Sequence, residues 1–242
     1  RRHATGAAPA GFGPGRPPPR ARCAQSQVLP LPEPLMKLYV APRAPNPRRV
    51  TLFVAEKGIT GLDIVQVDLG ATEHFGAPFR ARSPYAKVPV LELDDGRHLS
   101  ESRAICSWLE GLHPQPNLMG EGFEERAFIE MADRQVELYF FGTVANAIRH
   151  THPGLAPLEQ PQFAEFGASQ GRKLREVARQ LDEQLARQPY IAGGRFTIAD
   201  ITALCALDFA RGLLKFRAGD EGFAHLQAWR DRMAERPALR AG

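Results

Sequence analysis

Residues 87–105, Lys-Val-Pro-Val-Leu-Glu-Leu-Asp-Asp-Gly-Arg-His-Leu-Ser-Glu-Ser-Arg-Ala-Ile, restrict the chain to few folds. Val88-Pro89 is a tertiary amide, for which a cis bond costs little, and such a turn can aim backbone outward. Val90 to Leu93 is a short apolar strand. Asp94-Asp95-Gly96 is a hairpin turn, and His98 and Leu99 begin the returning strand. Glu101-Ser102 then opens a helix whose first N–H groups lack partners and favour an anion. An exposed strand edge, a proline turn and a helix N-terminus in this order suit a small peptide carrying a carboxylate.

The surrounding chain supplies the rest of a mixed sheet. Lys37 to Val40 reads as a strand. Asn46-Pro47 offers an N-cap followed by proline at the first helical position. Val50, Phe53 and Val54 mark one helical face, and Gly58 suits the residue just past the helix end. Ile64 to Leu69 alternates as a second strand, and residues 71–86 read as a loop with a short helix. The order β-α-β-α-β-β-α, with its helix ending near Leu112, is that of a thioredoxin-like domain. Its β-α-β part pairs parallel strands by a right-handed crossover.

After the linker His113-Pro114-Gln115-Pro116-Asn117 every pattern is helical. Glu124 to Arg149 and Phe163 to Gln188 read as two long helices, the second interrupted by glycines near its start. Thr197-Ile198-Ala199-Asp200 is a capping box with Asp in the third position. The helix it starts, Ile198 to Leu214, is apolar nearly all round and should be buried. Ala224 to Glu235 is a last helix, stopped at Pro237. The fold expected is an α/β thioredoxin-like domain at residues 36–113 followed by an all-α domain at 121–240.

The net charge of +4 is misleading about the folded part. Residues 1–35 hold five arginines against one glutamate, so the remainder is neutral and offers no nucleic-acid footprint. Those residues also hold eight prolines and four glycines, a composition expected to stay disordered. Met36 lies directly before the first strand, so an extension upstream of the true start is expected rather than a targeting segment. Three cysteines without paired spacing argue against a disulfide framework or zinc site. No apolar run approaches a membrane span. The expectation is a cytoplasmic protein with no metal and no membrane or nucleic-acid partner.

The 87–105 segment resembles the glutathione-binding half of the cytosolic glutathione transferases. Phe196-Thr-Ile-Ala-Asp-Ile-Thr202 is similar to that family's N-capping and hydrophobic-staple motif. The resemblance runs from Met36 to about Ala238. It implies a glutathione site in the first domain, a small apolar electrophile as acceptor between the domains, and a homodimer. By family position the Val88 backbone, held by Pro89, pairs with the cysteinyl residue by strand addition. Ser102 holds the γ-glutamyl carboxylate, Glu101 accepts the ammonium, and Lys87 and His74 lie toward the glycyl carboxylate. Each also has a plainer reading: an ordinary first-turn serine, a dipole-favoured surface glutamate, a solvated loop histidine.

The thiolate is the nucleophile, and a free thiol with pKa ~8.5 is mostly protonated at neutral pH. Most families place Tyr, Ser or Cys after the first strand to hydrogen-bond the sulfur. Ala41-Pro42-Arg43-Ala44-Pro45-Asn46-Pro47-Arg48 contains none of the three, and Tyr39 lies one or more residues early. The segment resembles an atypical fungal and bacterial subgroup that lacks the usual residue. The free N–H groups and positive dipole end of the first helix suit the sulfur, with Asn46 as a direct donor and Arg43 and Arg48 adding positive potential, and the resemblance adds a water held by one of His150, Thr151 or His152. Histidines at that helix end are also favoured by the dipole alone. The activity implied is conjugation to electrophiles, with glutathione-dependent peroxide reduction or a non-catalytic glutathione-binding scaffold as alternatives.

Overall fold

The computed structural model describes residues 36–240; residues 1–35, expected to be disordered, and Cys23 among them lie outside the described residues. Strand β1 (Lys37–Val40) leads into helix α1 (Pro45–Lys57), and β2 (Asp63–Gln66) returns parallel to β1. A 3-10 turn (Glu73–Phe75) and the short helix α2 (Ala77–Arg80) precede the hairpin β3 (Val90–Glu92) and β4 (His98–Ser100). Helix α3 (Ser102–Leu112) closes the unit. The sheet order is β2-β1-β3-β4, with β3 antiparallel to both of its neighbours.

Alternation decides what each face meets. Leu38, Val40, Leu91 and Leu93 enter the main core with Phe53 of α1 and Ile105 and Leu109 of α3. Tyr39 and Val90 turn to the opposite face, where Phe79 of α2 and Val67 cover them. β2 is shorter than the sequence predicts, ending at Gln66, although the Val67 N–H still donates to the Val40 carbonyl at 2.8 Å. α1 ends at Gly58 in the left-handed region (φ 62°), the conformation that the residue past a helix end favours glycine for.

The helical part begins with one continuous run in three pieces. α4 (Gly122–Gln135) passes through a π-helical stretch (Val136–Phe141) into α5 (Gly142–Thr151). α6 (Ala164–Leu185) packs along α5. Gly167 is the point of closest approach: a Cβ there would lie 2.6 Å from the Thr151 methyl and 3.2 Å from the His150 carbonyl carbon. Gly167→Ala is therefore expected to force the two helices apart and lower stability by about 1–3 kcal/mol, read from the denaturant midpoint. An unchanged midpoint would show that α5 yields there freely.

α7 (Ile198–Leu213) is the centre of the helical part, with every residue from Ile198 to Leu207 buried. Its capping box is formed: the Thr197 N–H donates to Asp200 Oδ2 at 2.9 Å. The other carboxylate oxygen, Oδ1, accepts from the Ile191 N–H and from Trp229 Nε1 of α8 (Ala224–Glu235), each at 3.0 Å. α8 ends at Glu235, before Pro237, as the sequence predicts, but it is not the last helix because Pro237 does not end helical structure. Pro237 opens the short helix α9 (Pro237–Arg240), since proline is compatible with a first helical turn.

Candidate active site

The sheet register assembles one end of the first domain. Val90 pairs with Tyr39 on one side and with Ser100 on the other. Carried two residues further along each ladder, Val88 comes level with Ala41 at the end of β1 and with Ser102 at the start of α3. The turn that follows Ala41 leads directly into α1 at Pro45. The carboxyl ends of the parallel pair, the start of β3 and the N-termini of α1 and α3 thus share one edge, where open α/β sheets bind ligands. Val88-Pro89 is a cis bond, as the sequence predicts. Pro89 is buried, Val88 is half-buried, and among the described residues the Val88 backbone makes no hydrogen bond.

Ser102 is the first residue of α3 and is buried. Its Oγ accepts a hydrogen bond from Arg49 Nη1 of α1 at 3.2 Å. Glu101, just before it, holds φ 69° and ψ 112° although it is not glycine. A bulky residue in that region is strained, and such strain persists where the surroundings over-determine it. The Glu101 side chain is exposed and forms no ion pair among the described residues. The next residue, Arg103, donates from Nε to buried Asp133 Oδ2 at 2.6 Å and also pairs with Glu130. Thr202 of α7 donates its hydroxyl to Asp133 Oδ1 at 2.5 Å. The start of α3 is therefore anchored into the helical part.

The N-terminus of α1 differs from the sequence expectation. The helix starts at Pro45, Ala44 is the capping position without a side-chain bond, and Asn46 is the second helical residue and exposed. Pro45-Asn-Pro offers proline a first-turn place in two registers, and the earlier one is adopted. Proline has no N–H, and the Arg48 N–H already donates to the Ala44 carbonyl at 3.2 Å. Asn46 alone supplies a free backbone N–H in that turn, together with its side-chain amide.

Tyr39 is excluded from sulfur chemistry by its own bond. Its hydroxyl donates to Glu92 Oε2 at 2.7 Å, toward the opposite end of the sheet, and burial raises its pKa. Burial likewise raises the thiols of Cys106 and Cys205, the latter to about 11, so both stay protonated packing residues. Among the described residues no group of His, Cys, Asp or Glu is placed to hold a metal, and no helix is long and apolar enough to cross a membrane.

Residues 44–112 match the family description "Glutathione S-transferase, N-terminal domain" and residues 153–237 "Glutathione S-transferase, C-terminal domain". Glutathione S-transferase 2 of Saccharomyces cerevisiae is 35% identical over 207 residues, covering 85% of this chain and 88% of that protein. A solved glutathione S-transferase domain-containing protein of Marinobacter aquaeolei superposes with a TM-score of 0.80 at 40% identity, over 84% of this chain and 99% of that one. Gtt2 of Saccharomyces cerevisiae superposes with the same TM-score at 34% identity, over 85% and 99%. The chain belongs to the glutathione S-transferase family. Its sheet and helical parts are the thioredoxin-like and all-α domains of that fold, and glutathione is the family's co-substrate.

Two further groups hold the remaining residues expected at the site by family position. His74, read as a loop residue, is buried in the 3-10 turn with Nδ1 unpartnered among the described residues. Burial, then the positive Lys87 and Arg80 nearby, lowers its pKa and keeps the imidazole neutral. Lys87 is exposed, and its backbone is clamped by Ser83, whose Oγ accepts from the Lys87 N–H at 3.1 Å and donates to the Lys87 carbonyl at 3.0 Å.

The second group, His150, Thr151 and His152, builds the turn between α5 and α6. His150 Nδ1 accepts from the Phe163 N–H at 3.2 Å, and its ring meets Phe166 edge-on at 5.0 Å. The Thr151 hydroxyl donates to the Ala147 carbonyl at 2.7 Å, and His152 Nδ1 accepts from the Gly154 N–H at 3.1 Å. None of the three makes a hydrogen bond or ion pair to α1 among the described residues. Any service to a sulfur there must pass through water.

Proposed function

We propose that the chain is a glutathione transferase that binds glutathione along the end of the sheet just described. In this reading the cysteinyl backbone pairs with the free N–H and C=O of Val88, as an added strand. The γ-glutamyl carboxylate takes the Ser102 hydroxyl and the first N–H of α3, and the ammonium takes Glu101. Lys87 and neutral His74 receive the glycyl carboxylate, Lys87 by charge and His74 by one N–H. The sulfur then faces the start of α1, where Asn46 donates to it and the dipole favours the thiolate. The thiolate attacks an electrophilic carbon of a small apolar acceptor and displaces its leaving group or adds to its double bond. The working form is a cytoplasmic homodimer.

The convergence of the unpaired Val88 backbone, Ser102 and Asn46 at one edge carries this reading. One observation keeps a non-catalytic glutathione-binding scaffold in view: the Tyr39 hydroxyl is spent on Glu92, and the loop after β1 holds no other activating side chain. Peroxide reduction would use the same thiolate with a different acceptor.

The pH dependence of kcat/KM with a chloro-dinitrobenzene acceptor separates these readings. A hydrogen bond to a charged group is worth about 1.5–3 kcal/mol, so the bound thiol should titrate at least about one unit below the free value near 8.5. Asn46→Ala should move that titration back up by about one unit. His150→Ala should move it less, if water relays its effect. A wild-type profile centred on the free-thiol value would reject activation by α1. Calorimetric binding of glutathione with no turnover of carbon electrophile or peroxide would favour the scaffold.

A further inference from the structure

Arg49 is a buried charged side chain at this edge that the readings above leave without a task. It is fully buried, and its guanidinium lies 5.4 Å from the centre of the Phe141 ring. Nη1 donates to Glu137 Oε1 at 2.9 Å and to Ser102 Oγ at 3.2 Å. Nε and Nη2 have no partner among the described residues. A buried guanidinium with two idle nitrogens is a poor way to hold a core, where an apolar side chain of similar volume would cost less. The nitrogen that is engaged joins a carboxylate of the π-helical stretch to the hydroxyl at the head of α3.

The direction of that second bond matters. Guanidinium has donors and no acceptor, so Ser102 Oγ can only accept from it. The hydroxyl has one proton to give, and it has no acceptor among the described residues. With one lone pair taken by Arg49, the Ser102 O–H is held as a donor beside the first N–H of α3. A carboxylate arriving there meets two donors already oriented, and the positive charge of Arg49 behind them is neutralised locally. Glu137 balances that charge, and Arg134 in turn pairs with Glu137.

We infer that Arg49 is a positioning residue for the co-substrate: it fixes the Ser102 hydroxyl as a donor to the γ-glutamyl carboxylate and is itself held by Glu137. The inference rests on the glutathione reading proposed above. Arg49 touches no substrate atom in it. Its effect reaches glutathione only through Ser102, and the acceptor site is untouched.

A double-substitution cycle tests this, using wild type, Ser102→Ala, Arg49→Leu and the pair, read as calorimetric Kd for glutathione and as KM for both substrates. Each single substitution should weaken glutathione about tenfold or more, the effect of losing or misaligning one hydrogen bond to a charged group. The pair should be no more than about twofold worse than Ser102→Ala alone, and acceptor KM should stay within about twofold throughout. An Arg49 that merely supports the fold would weaken glutathione by the same factor in both backgrounds, and that result overturns the inference. Should Arg49→Leu not fold, Arg49→Lys carries the same cycle. It keeps the charge but lacks the planar fork that reaches Glu137 and Ser102 together, so about a threefold loss is expected. A lysine variant equal to wild type overturns the inference as well. Wild type that fails to bind glutathione rejects the functional reading; wild type that binds, with an additive cycle, rejects the role of Arg49 alone.

Discussion

Asp200→Ala should lower the unfolding free energy by about 4 kcal/mol, because it strands several buried donors at once. The carboxylate is fully buried and accepts from the Ile191 and Thr197 N–H groups and from Trp229 Nε1. It therefore caps α7, holds the segment leading into that helix, and pins α8 through the indole. Removing it leaves partners on three segments that cannot all reach water. Burial pushes this carboxyl up to about 6 despite the hydrogen bonds pulling it down. The sign follows from that rise above the ordinary aspartate range. The stabilising contribution of the proton is full at low pH and is lost as pH rises through about 6. The deficit of Asp200→Ala should thus be larger at pH 5 than at pH 7.5, by about 1 kcal/mol, in paired denaturant titrations. A pH-independent deficit would mean that Asp200 stays ionised throughout.

Ser102→Ala should raise the KM for glutathione about ten- to hundredfold while the KM for the acceptor stays put, since a hydrogen bond to a carboxylate is worth about 1.5–3 kcal/mol. The fold should survive the change, because the side chain is small, sits in the first turn of α3 and leaves that turn's backbone intact. Steady-state kinetics with glutathione varied at fixed acceptor, beside a denaturant midpoint, makes the comparison. Loss of turnover with folding intact argues against a scaffold that never turns over. Equal losses in both KM values would point instead to a general disturbance where the domains meet.

Much of this was legible because it is local. Val88-Pro89, the hairpin turn at Gly96, the Glu101-Ser102 helix start and the Thr197/Asp200 box are each set by a few neighbouring residues. Their signals survive without knowledge of distant contacts. What escaped reading is what depends on distance along the chain. Arg49 stands between Arg48 and Val50 and reads as another surface charge. Only its spacing of four from Phe53 hints that it falls on the buried face, and its partners lie 53 and 88 residues away. The π-helical stretch carries no sequence signature either, since it is stabilised by packing rather than by propensity. Asn46 lies two positions further into the helix than the sequence predicts, for a local reason: two prolines each satisfy the rules for opening a helix. His150 and His152 look reactive in sequence, yet Phe163 and Gly154 occupy a nitrogen of each.

The two prolines flanking Asn46 also set a selectivity. A helix that cradles a phosphate presents several convergent N–H groups to its several oxygens. Pro45 and Pro47 delete two of these, and what remains is one backbone donor and one side-chain amide. Such an end offers the several oxygens of a polyoxyanion few backbone donors. An anion concentrated on a single atom loses nothing by the deletion. In the proposed reading the start of α1 is a socket for one sulfur, made selective by the donors it lacks.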